Sequence, residues 1–226
     1  MSEAEDDARA GRYEDALAKH VWFHENALKY APAMYGVRLS FALSDWAALG
    51  AVYPPALQRL KAVRDEAGED VRDGKNARRA FHDLASINRT LGEDVKTTEA
   101  FVWLDVSRPA VATQVFDIAQ PALVAAKQYR LCGKYVDPDR SYQRILLIYE
   151  EGKKITVEPD YQSQLKEHAE QAISNGVATL VALLVVNDRK ADAIRIAQAA
   201  RKEWDNESFR QQLERAQNGE VPPPWP

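Results

Sequence analysis

The stretch Gly11-Arg12-Tyr13-Glu14-Asp15-Ala16-Leu17 carries the pattern that decides the fold. A small or turn-forming residue ends one helix, an aromatic ring packs under the corner, and a small residue lets the second helix approach the first. Similar patterns occur from Gly50 to Leu57, from Lys127 to Cys132 and from Asp188 to Ile194, and Leu91-Gly92 begins a copy that lacks the tyrosine. We interpret the pattern as a helical hairpin that is repeated along the chain.

Apolar residues recur at spacings of three and four almost everywhere, which predicts amphipathic helices. One stripe runs from Leu39 to Leu49 and another from Ala77 to Leu91, and glycines and prolines separate such stripes. The sequence therefore predicts an all-α protein of about ten helices, with an extra helix near 141–151 and a long apolar helix over about 160–186. The side chains expected in the core include Trp46, Leu49, Phe81, Leu84, Val115 and Leu183.

The spacing of the turns is typical of helix-pair repeats. They fall near positions 11, 50, 92, 127 and 188, at intervals of 39, 42, 35 and 61 residues, and three of these intervals are in the expected range. The sequence resembles the tetratricopeptide repeat (TPR) family, whose units carry a Gly-x-Tyr-x-x-Ala corner and a proline near the unit's end. Gly11, Tyr13, Ala16 and Pro32 match in residue type, although Ala16 to Pro32 is about one helical turn longer than the usual unit.

The resemblance implies a TPR-like α-solenoid of antiparallel helix hairpins, which we expect to form a single domain over residues 1–218. The first helices of such a solenoid line a concave face that typically holds another protein or peptide. Residues 219–226 are a Pro-rich tail that should sample polyproline II. This tail is either a ligand for another protein or, as we favour, an end whose Trp225 folds back onto apolar surface.

The amino-acid composition of the chain argues against some classes of binding partner. Thirty Lys and Arg stand against 34 Asp and Glu, so the chain lacks the basic excess that general nucleic-acid binding needs. A single cysteine, Cys132, suits a reducing compartment. The acidic start of the chain is unlike a secretion signal, and the longest apolar stretch, Val177 to Val186, is about half of what spans a bilayer. We expect a cytoplasmic protein with no nucleic-acid or membrane partner.

No catalytic or cofactor motif is evident in the sequence. His20 and His24 are four residues apart and could form half of a metal site, but a third ligand is missing nearby. We interpret them, with Trp22 and Phe23, as an aromatic packing surface, and Cys132 as a small packed residue. A Gly-x-Ser-x-Gly elbow, a phosphate loop and a dinucleotide fingerprint are all lacking. We expect no enzymatic activity, cofactor or metal.

A local excess of positive charge lies between Arg72 and Arg89. Lys75 and Arg79 form one row on a helix, and Arg78 and His82 form another, because each pair is four residues apart. Some TPR domains grip an acidic peptide terminus with Lys-x-x-x-Arg on a first helix, and Lys75 and Arg79 match that fragment. The expected asparagines are not at evident matching places. Tyr35, Arg38 and Asp45 are further candidates, because such residues often anchor interfaces. The predicted partner-binding residues are Tyr35, Arg38, Asp45, Lys75, Arg79 and His82.

Our first functional expectation is a non-enzymatic scaffold or adaptor that binds a protein or peptide, for example one with an acidic segment, on the concave face. One alternative is a regulatory or immunity-type protein that sequesters a single dedicated partner through the same face. Another is an enzyme whose residues are dispersed over several helices, which should show a deep pocket with a strongly perturbed titratable residue.

Overall fold

The computed structural model describes residues 2–154 and 159–225, and within these ranges all regular structure is helical, with no strand. The all-α prediction is confirmed. The described residues contain thirteen α-helices and one 3-10 turn, Pro32–Met34, which is more than the predicted ten or so. The difference comes from short helices such as α3 and α9, which have four and seven residues. Such helices hold too few apolar positions to show a periodic stripe.

In chain order the helices are α1 (Ser2–Arg9), α2 (Tyr13–Tyr30), α3 (Tyr35–Arg38), α4 (Phe41–Val52), α5 (Pro54–Asp73), α6 (Ala77–Thr90), α7 (Asp94–Ser107), α8 (Pro109–Ala125), α9 (Tyr129–Tyr135), α10 (Pro138–Lys153), α11 (Pro159–Val186), α12 (Lys190–Glu203) and α13 (Glu207–Gln217). The extra helix predicted near 141–151 corresponds to α10, and the long apolar helix predicted over about 160–186 corresponds to α11.

Two compact units make up the chain, Met1–Ala119 and Gln120–Pro226, and α8 runs across the boundary between them. In the first unit α1 packs on α2, α2 on α4, α4 on α5, α5 on α6, and α6 on α7. In the second unit α11 contacts α9, α10, α12 and α13, so it is the central helix there. The first unit thus packs successive helices on one another, whereas the second unit is built around one central helix.

Four of the five predicted corners lie in turns between consecutive helices. Gly11, Gly92, Lys127 and Asp188 have φ angles of +76°, +67°, +56° and +62°, the left-handed conformation that ends helices. Gly50 is different, because it lies inside α4 rather than at a corner. A Cβ on Gly50 would lie 3.0 Å from the Cβ of Leu57, so this glycine permits close contact between α4 and α5.

The six side chains predicted in the core are all buried: Trp46, Leu49, Phe81, Leu84, Val115 and Leu183. In the first unit Trp46 packs in a cluster with Leu43, Leu60 and Ile87. The indole nitrogen of Trp46 also donates a hydrogen bond of 3.0 Å to the carbonyl oxygen of Ala56, which links α4 to α5. The burial of these residues confirms the faces that the apolar stripes predicted for α4, α6 and α8.

The central helix of the second unit is apolar along most of its C-terminal half. Its segment Ser163–Val186 is long and apolar enough to cross a membrane by length and composition, and 56% of the most apolar window is buried inside the protein. The run from Val177 to Leu184 is buried without interruption, as expected of a core helix surrounded by four others. The tail lies beside this helix: Asn175 donates a hydrogen bond of 3.0 Å to the carbonyl of Pro223, and the ring of Trp225 contacts His168.

Candidate recognition cleft

A cleft of about 270 Å³ in the first unit, here called the first cleft, is lined by α2, α3, α5 and α6. It has a buried floor and an exposed rim. The floor consists of His24, Arg38 and Asp83, and the rim is formed by Glu25, Glu66, Asp70 and Arg79. Two of the predicted binding residues, Arg38 and Arg79, therefore line one cleft, one on the floor and one on the rim.

Arg38 is a structural cation of the floor, with only 3% of its surface exposed. Its guanidinium donates to both carboxylate oxygens of Asp83, at 2.5 and 2.8 Å. It also donates to the backbone carbonyl of His24 at 2.6 Å and lies 2.9 Å from the Nε2 atom of that ring. One side chain on α3 thus binds α2 and α6 together. With its donors used in this way, Arg38 is not on the surface where a partner would bind.

The two histidines of α2 lie against the indole of Trp46. The ring of His20 stacks on it at 6.0 Å, and that of His24 meets it edge-on at 5.9 Å, so both histidines pack as predicted. Trp22, in contrast, is exposed and stacks on Tyr30. Burial lowers the pKa of His20 to about 4. Burial, together with the nearby charge of Arg38, lowers the pKa of His24 to about 4.

Both imidazoles are therefore neutral near pH 7. Because the guanidinium of Arg38 can only donate, Nε2 of His24 must accept and the proton must lie on Nδ1. The Nδ1 atoms of His20 and His24 are buried without a hydrogen-bond partner. Nε2 of His24 is bound by Arg38, and both rings contact the indole of Trp46, so these two residues pack in the interior of the first unit.

The rim of the first cleft has a different electrostatic character. Arg79 is exposed and, among the described residues, makes no ion pair or side-chain hydrogen bond. Glu25 and Glu66 both accept from Arg59, at 3.3 and 2.7 Å. Asp70 adds a further carboxylate to the rim. The rim thus contains one unpaired cation, Arg79, and three carboxylates, two of which already pair with Arg59.

Tyr35 and His82 lie beside the first cleft and bind each other. The phenol oxygen is 2.9 Å from Nδ1 of His82, and the ring centroids are 5.5 Å apart. Burial raises the pKa of Tyr35, and the charges of Asp83, Arg38 and Arg79 act on the same hydroxyl. These two predicted residues therefore belong to the region of the first cleft, where they join α3 to α6.

The remaining predicted residues lie elsewhere. Lys75 forms an exposed ion pair of 2.8 Å with Asp73 at the corner between α5 and α6, outside the lining of the first cleft. Asp45 is on α4, where burial, followed by the charge of Glu5, raises its pKa. Arg78, from the second basic row, is bound by Asp117 at 2.6 and 2.7 Å. The basic rows therefore do not present all their cations to one groove.

Sequence reasoning missed the acidic residues of the first cleft. In the sequence Asp83 only reduces the local positive charge, although it follows Arg79 by four residues and so lies on the same face of α6. Glu66 and Asp70 are likewise four residues apart on α5. That spacing is a usable signal for one acidic row, but the proximity of that row to Arg79 depends on how α5 packs on α6.

Comparison of the chain with protein-family models, with curated proteins and with solved structures finds no match.

Proposed function

We propose that this protein is a non-enzymatic interaction module, a TPR-like solenoid in the cytoplasm that holds a peptide or protein partner in the first cleft. The observation that carries the proposal is Arg79, an exposed guanidinium without an ion pair among the described residues, at the rim of a cleft. Arginine is the side chain best suited to bidentate recognition of a carboxylate. Arginine and tyrosine are among the side chains that most often anchor interfaces. Here the unpaired Arg79 lies near the hydrogen-bonded pair of Tyr35 and His82.

The solenoid part of the proposal is supported by the packing of successive helices in the first unit and by the left-handed turns at Gly11, Gly92, Lys127 and Asp188. Such an arrangement generates an extended surface from neighbouring hairpins. The buried ionisable groups of the cleft are either neutral, as His24 is, or paired, as Arg38 and Asp83 are. Such groups favour binding of a ligand as the role of the cleft.

The charges of the rim specify the form of the ligand more closely than the sequence does. Glu25, Glu66 and Asp70 line the same cleft as Arg79, and like charges disfavour a long acidic segment in the same place. We therefore propose that the partner contributes one carboxylate, such as a chain terminus or a single Asp or Glu, flanked by neutral or basic residues. The carboxylate pairs with Arg79, and the apolar wall formed by Val63, Ala67 and Ala80 contacts the adjoining side chain.

The test is selection of peptides from a random library, in matched free-carboxylate and amidated forms, on the wild-type chain and on two variants. Arg79→Glu should lose the selected peptides, because the unpaired rim cation becomes a further carboxylate. Lys75→Glu is the matched control, since it reverses another exposed charge near the start of α6 but outside the cleft. It should retain them. Both variants should keep the helical circular-dichroism spectrum.

Salt gives an independent check, because exposed charge pairs are screened over about 8 to 10 Å at physiological ionic strength. Binding of the selected peptides should weaken as salt rises. If Arg79→Glu captures the same peptides with the same affinity as the wild-type chain, the first cleft is not the recognition site.

A further inference from the structure

A second cleft, of about 340 Å³, lies between α5, α6 and α7 in the first unit. Each helix contributes one row of side chains to it. The second cleft is the space lined by Glu69 and Arg72 of α5, Leu84 and Asn88 of α6, and Glu99 and Trp103 of α7. None of these residues belongs to the first cleft, so its chemistry is separate from that of Arg79.

The floor of the second cleft contains an unsatisfied hydrogen-bond acceptor. Asn88 is 0% exposed, and its Nδ2 donates to the hydroxyl of Thr97 at 3.0 Å, but its Oδ1 has no partner. A buried polar atom without a partner is unfavourable, because it has lost its hydrogen bonds to water. Such an atom in the floor of a cleft is satisfied when a ligand brings a donor to it.

The walls of the second cleft present carboxylates that are available to a ligand. Arg64 is bound by Glu93 and Asp65, and Lys96 is bound by Glu93, so these two lining cations are already paired. Glu69 and Glu99 lie on opposite walls, are exposed, and make no ion pair among the described residues. Two exposed carboxylates and one buried, unpartnered amide oxygen thus line the same space from three helices.

The indole of Trp103 already contacts one flat cation, which belongs to the chain itself. The guanidinium carbon of Arg72 lies over the ring at 6.0 Å from its centroid, within the range of a cation–π contact. Gly68 also lines the cleft, and a Cβ there would lie only 3.3 Å from a methyl carbon of Leu84, so this glycine permits close packing of α5 on α6 at the cleft.

We propose that the second cleft binds an alkylguanidinium, either the side chain of an arginine in a partner or a free small cation of the same chemistry. The guanidinium donates to Glu69, Glu99 and Oδ1 of Asn88, and the alkyl stem packs on Leu84 and Trp103. A guanidinium suits the three acceptors because its five N–H donors lie in a fixed plane and can reach acceptors on different sides. The proposal goes beyond the binding of a carboxylate in the first cleft and does not depend on it.

The test is a titration of the full-length chain with agmatine, a free alkylguanidinium, followed by the indole N–H resonance of Trp103 in nitrogen-15 NMR spectra. N-butylurea, which keeps the shape without the charge, is the control ligand. A second arm uses the capped tripeptide acetyl-Ala-Arg-Ala-amide to present the same group on a peptide. Binding of agmatine supports a free cation as ligand, and binding of the peptide alone supports an arginine of a partner.

Four variants identify the site. Glu69→Gln and Glu99→Gln should each weaken binding by about tenfold or more, since each removes a charge-assisted hydrogen bond. Glu66→Gln is the matched control, because it lies three residues earlier on α5 but lines the first cleft, and it should bind normally. Arg72→Ala should tighten binding, because it removes a competing cation from the indole.

Absence of a Trp103 shift with both agmatine and the peptide would overturn the proposal. It is equally overturned if the Glu69→Gln and Glu99→Gln variants bind as the wild-type chain does, or if N-butylurea binds as well as agmatine. Acetate binding that is lost in Arg72→Ala would mean that the cleft selects anions instead. Because Arg79 takes no part in these measurements, a negative result does not bear on the function proposed for the first cleft. Equally, failure of the peptide selection at the first cleft does not bear on the second cleft.

Discussion

The floor and the rim of the first cleft carry arginines of opposite character. Arg38 on the floor is buried and gives its donors to Asp83 and His24, whereas Arg79 on the rim is exposed and has no ion pair among the described residues. Both guanidiniums line the same space within one unit. The comparison shows that whether an arginine in this fold is paired or exposed depends on which helices pack around it. Local sequence does not specify that packing.

The same contrast appears between two faces of α6. Phe81 is fully buried and meets the ring of Phe101 edge-on at 6.5 Å, while Arg79, two residues earlier, faces the cleft. Phe81 packs in the core, whereas Arg79 is exposed at the rim. Substitutions on the two faces should therefore separate stability from recognition.

The largest effect is expected at the floor itself. Arg38→Ala should lower the free energy of unfolding by about 3 to 5 kcal/mol, because it leaves the carboxylate of Asp83 without its cation in a largely buried place. Chemical denaturation measures this loss. A double variant, Arg38→Met with Asp83→Leu, should recover much of it, since both charges are then absent. A small loss for Arg38→Ala would mean that the floor is hydrated and does not hold α3 to α6.

An effect of similar size is expected on the inward face of α6. Phe81→Ala should cost about 3 to 5 kcal/mol of unfolding free energy through lost transfer energy and a cavity. Denaturant unfolding followed by circular dichroism gives the value. A loss under about 1 kcal/mol would show that α6 turns a different face to the core.

A smaller, pH-dependent effect is expected from the histidines on and behind the floor. The folded-state pKa of His20 and that of His24 are each lowered to about 4, below the ordinary value of 6.5. The unfolded chain therefore binds more protons between these values, and stability must fall as the pH drops from about 6.5 toward 4. By pH 5 the loss should be on the order of 2 kcal/mol for each histidine.

Unfolding measured from pH 7 to pH 4.5 tests this dependence. His20→Phe keeps an aromatic ring against Trp46 and should give a visibly flatter curve. An unchanged slope in that variant would mean that His20 is not kept neutral by burial.

The rim should contribute least to stability. Arg79→Ala should change the unfolding free energy by less than about 0.5 kcal/mol, as is usual for exposed sites without special contacts. Arg38→Ala is the matched variant, since both substitutions remove a guanidinium from the same cleft. Comparable losses of unfolding free energy in the two variants would show that Arg38 and Arg79 contribute equally to stability.

The sequence predicts the helical fold, the position of α11 and the buried residues, because those depend on periodicity that local sequence contains. Trp46 and Phe81 are examples, since each belongs to a long stripe of apolar residues. Gly50 shows the limit: this glycine serves close helix packing inside α4, although the motif predicted a corner. Local sequence cannot distinguish these two uses of a small residue.

The candidate site is less predictable for a related reason. Arg38 and Arg79 are equally plausible as binding residues from residue type and spacing, and only the packing of α2, α3 and α6 separates them. The second cleft gives no signal in the sequence, because Glu69, Asn88 and Glu99 lie far apart in the chain and form no motif. Sites that are assembled from several helices depend on tertiary packing.

The claim that the rim around Arg79 recognises a partner is tested most directly by site-specific photo-crosslinking. A benzoylphenylalanine placed at position 70, which lines the first cleft and leaves Arg79 intact, or, as control, at position 75 is irradiated in an extract of the source cell, and cross-linked species are identified by mass spectrometry. We expect a specific partner from position 70, with the cross-link in a segment that carries a single carboxylate, and no such product from position 75 or from position 70 in an Arg79→Glu background. Equal products from positions 70 and 75, or an unchanged product in the Arg79→Glu background, would show that the rim around Arg79 is not the recognition site.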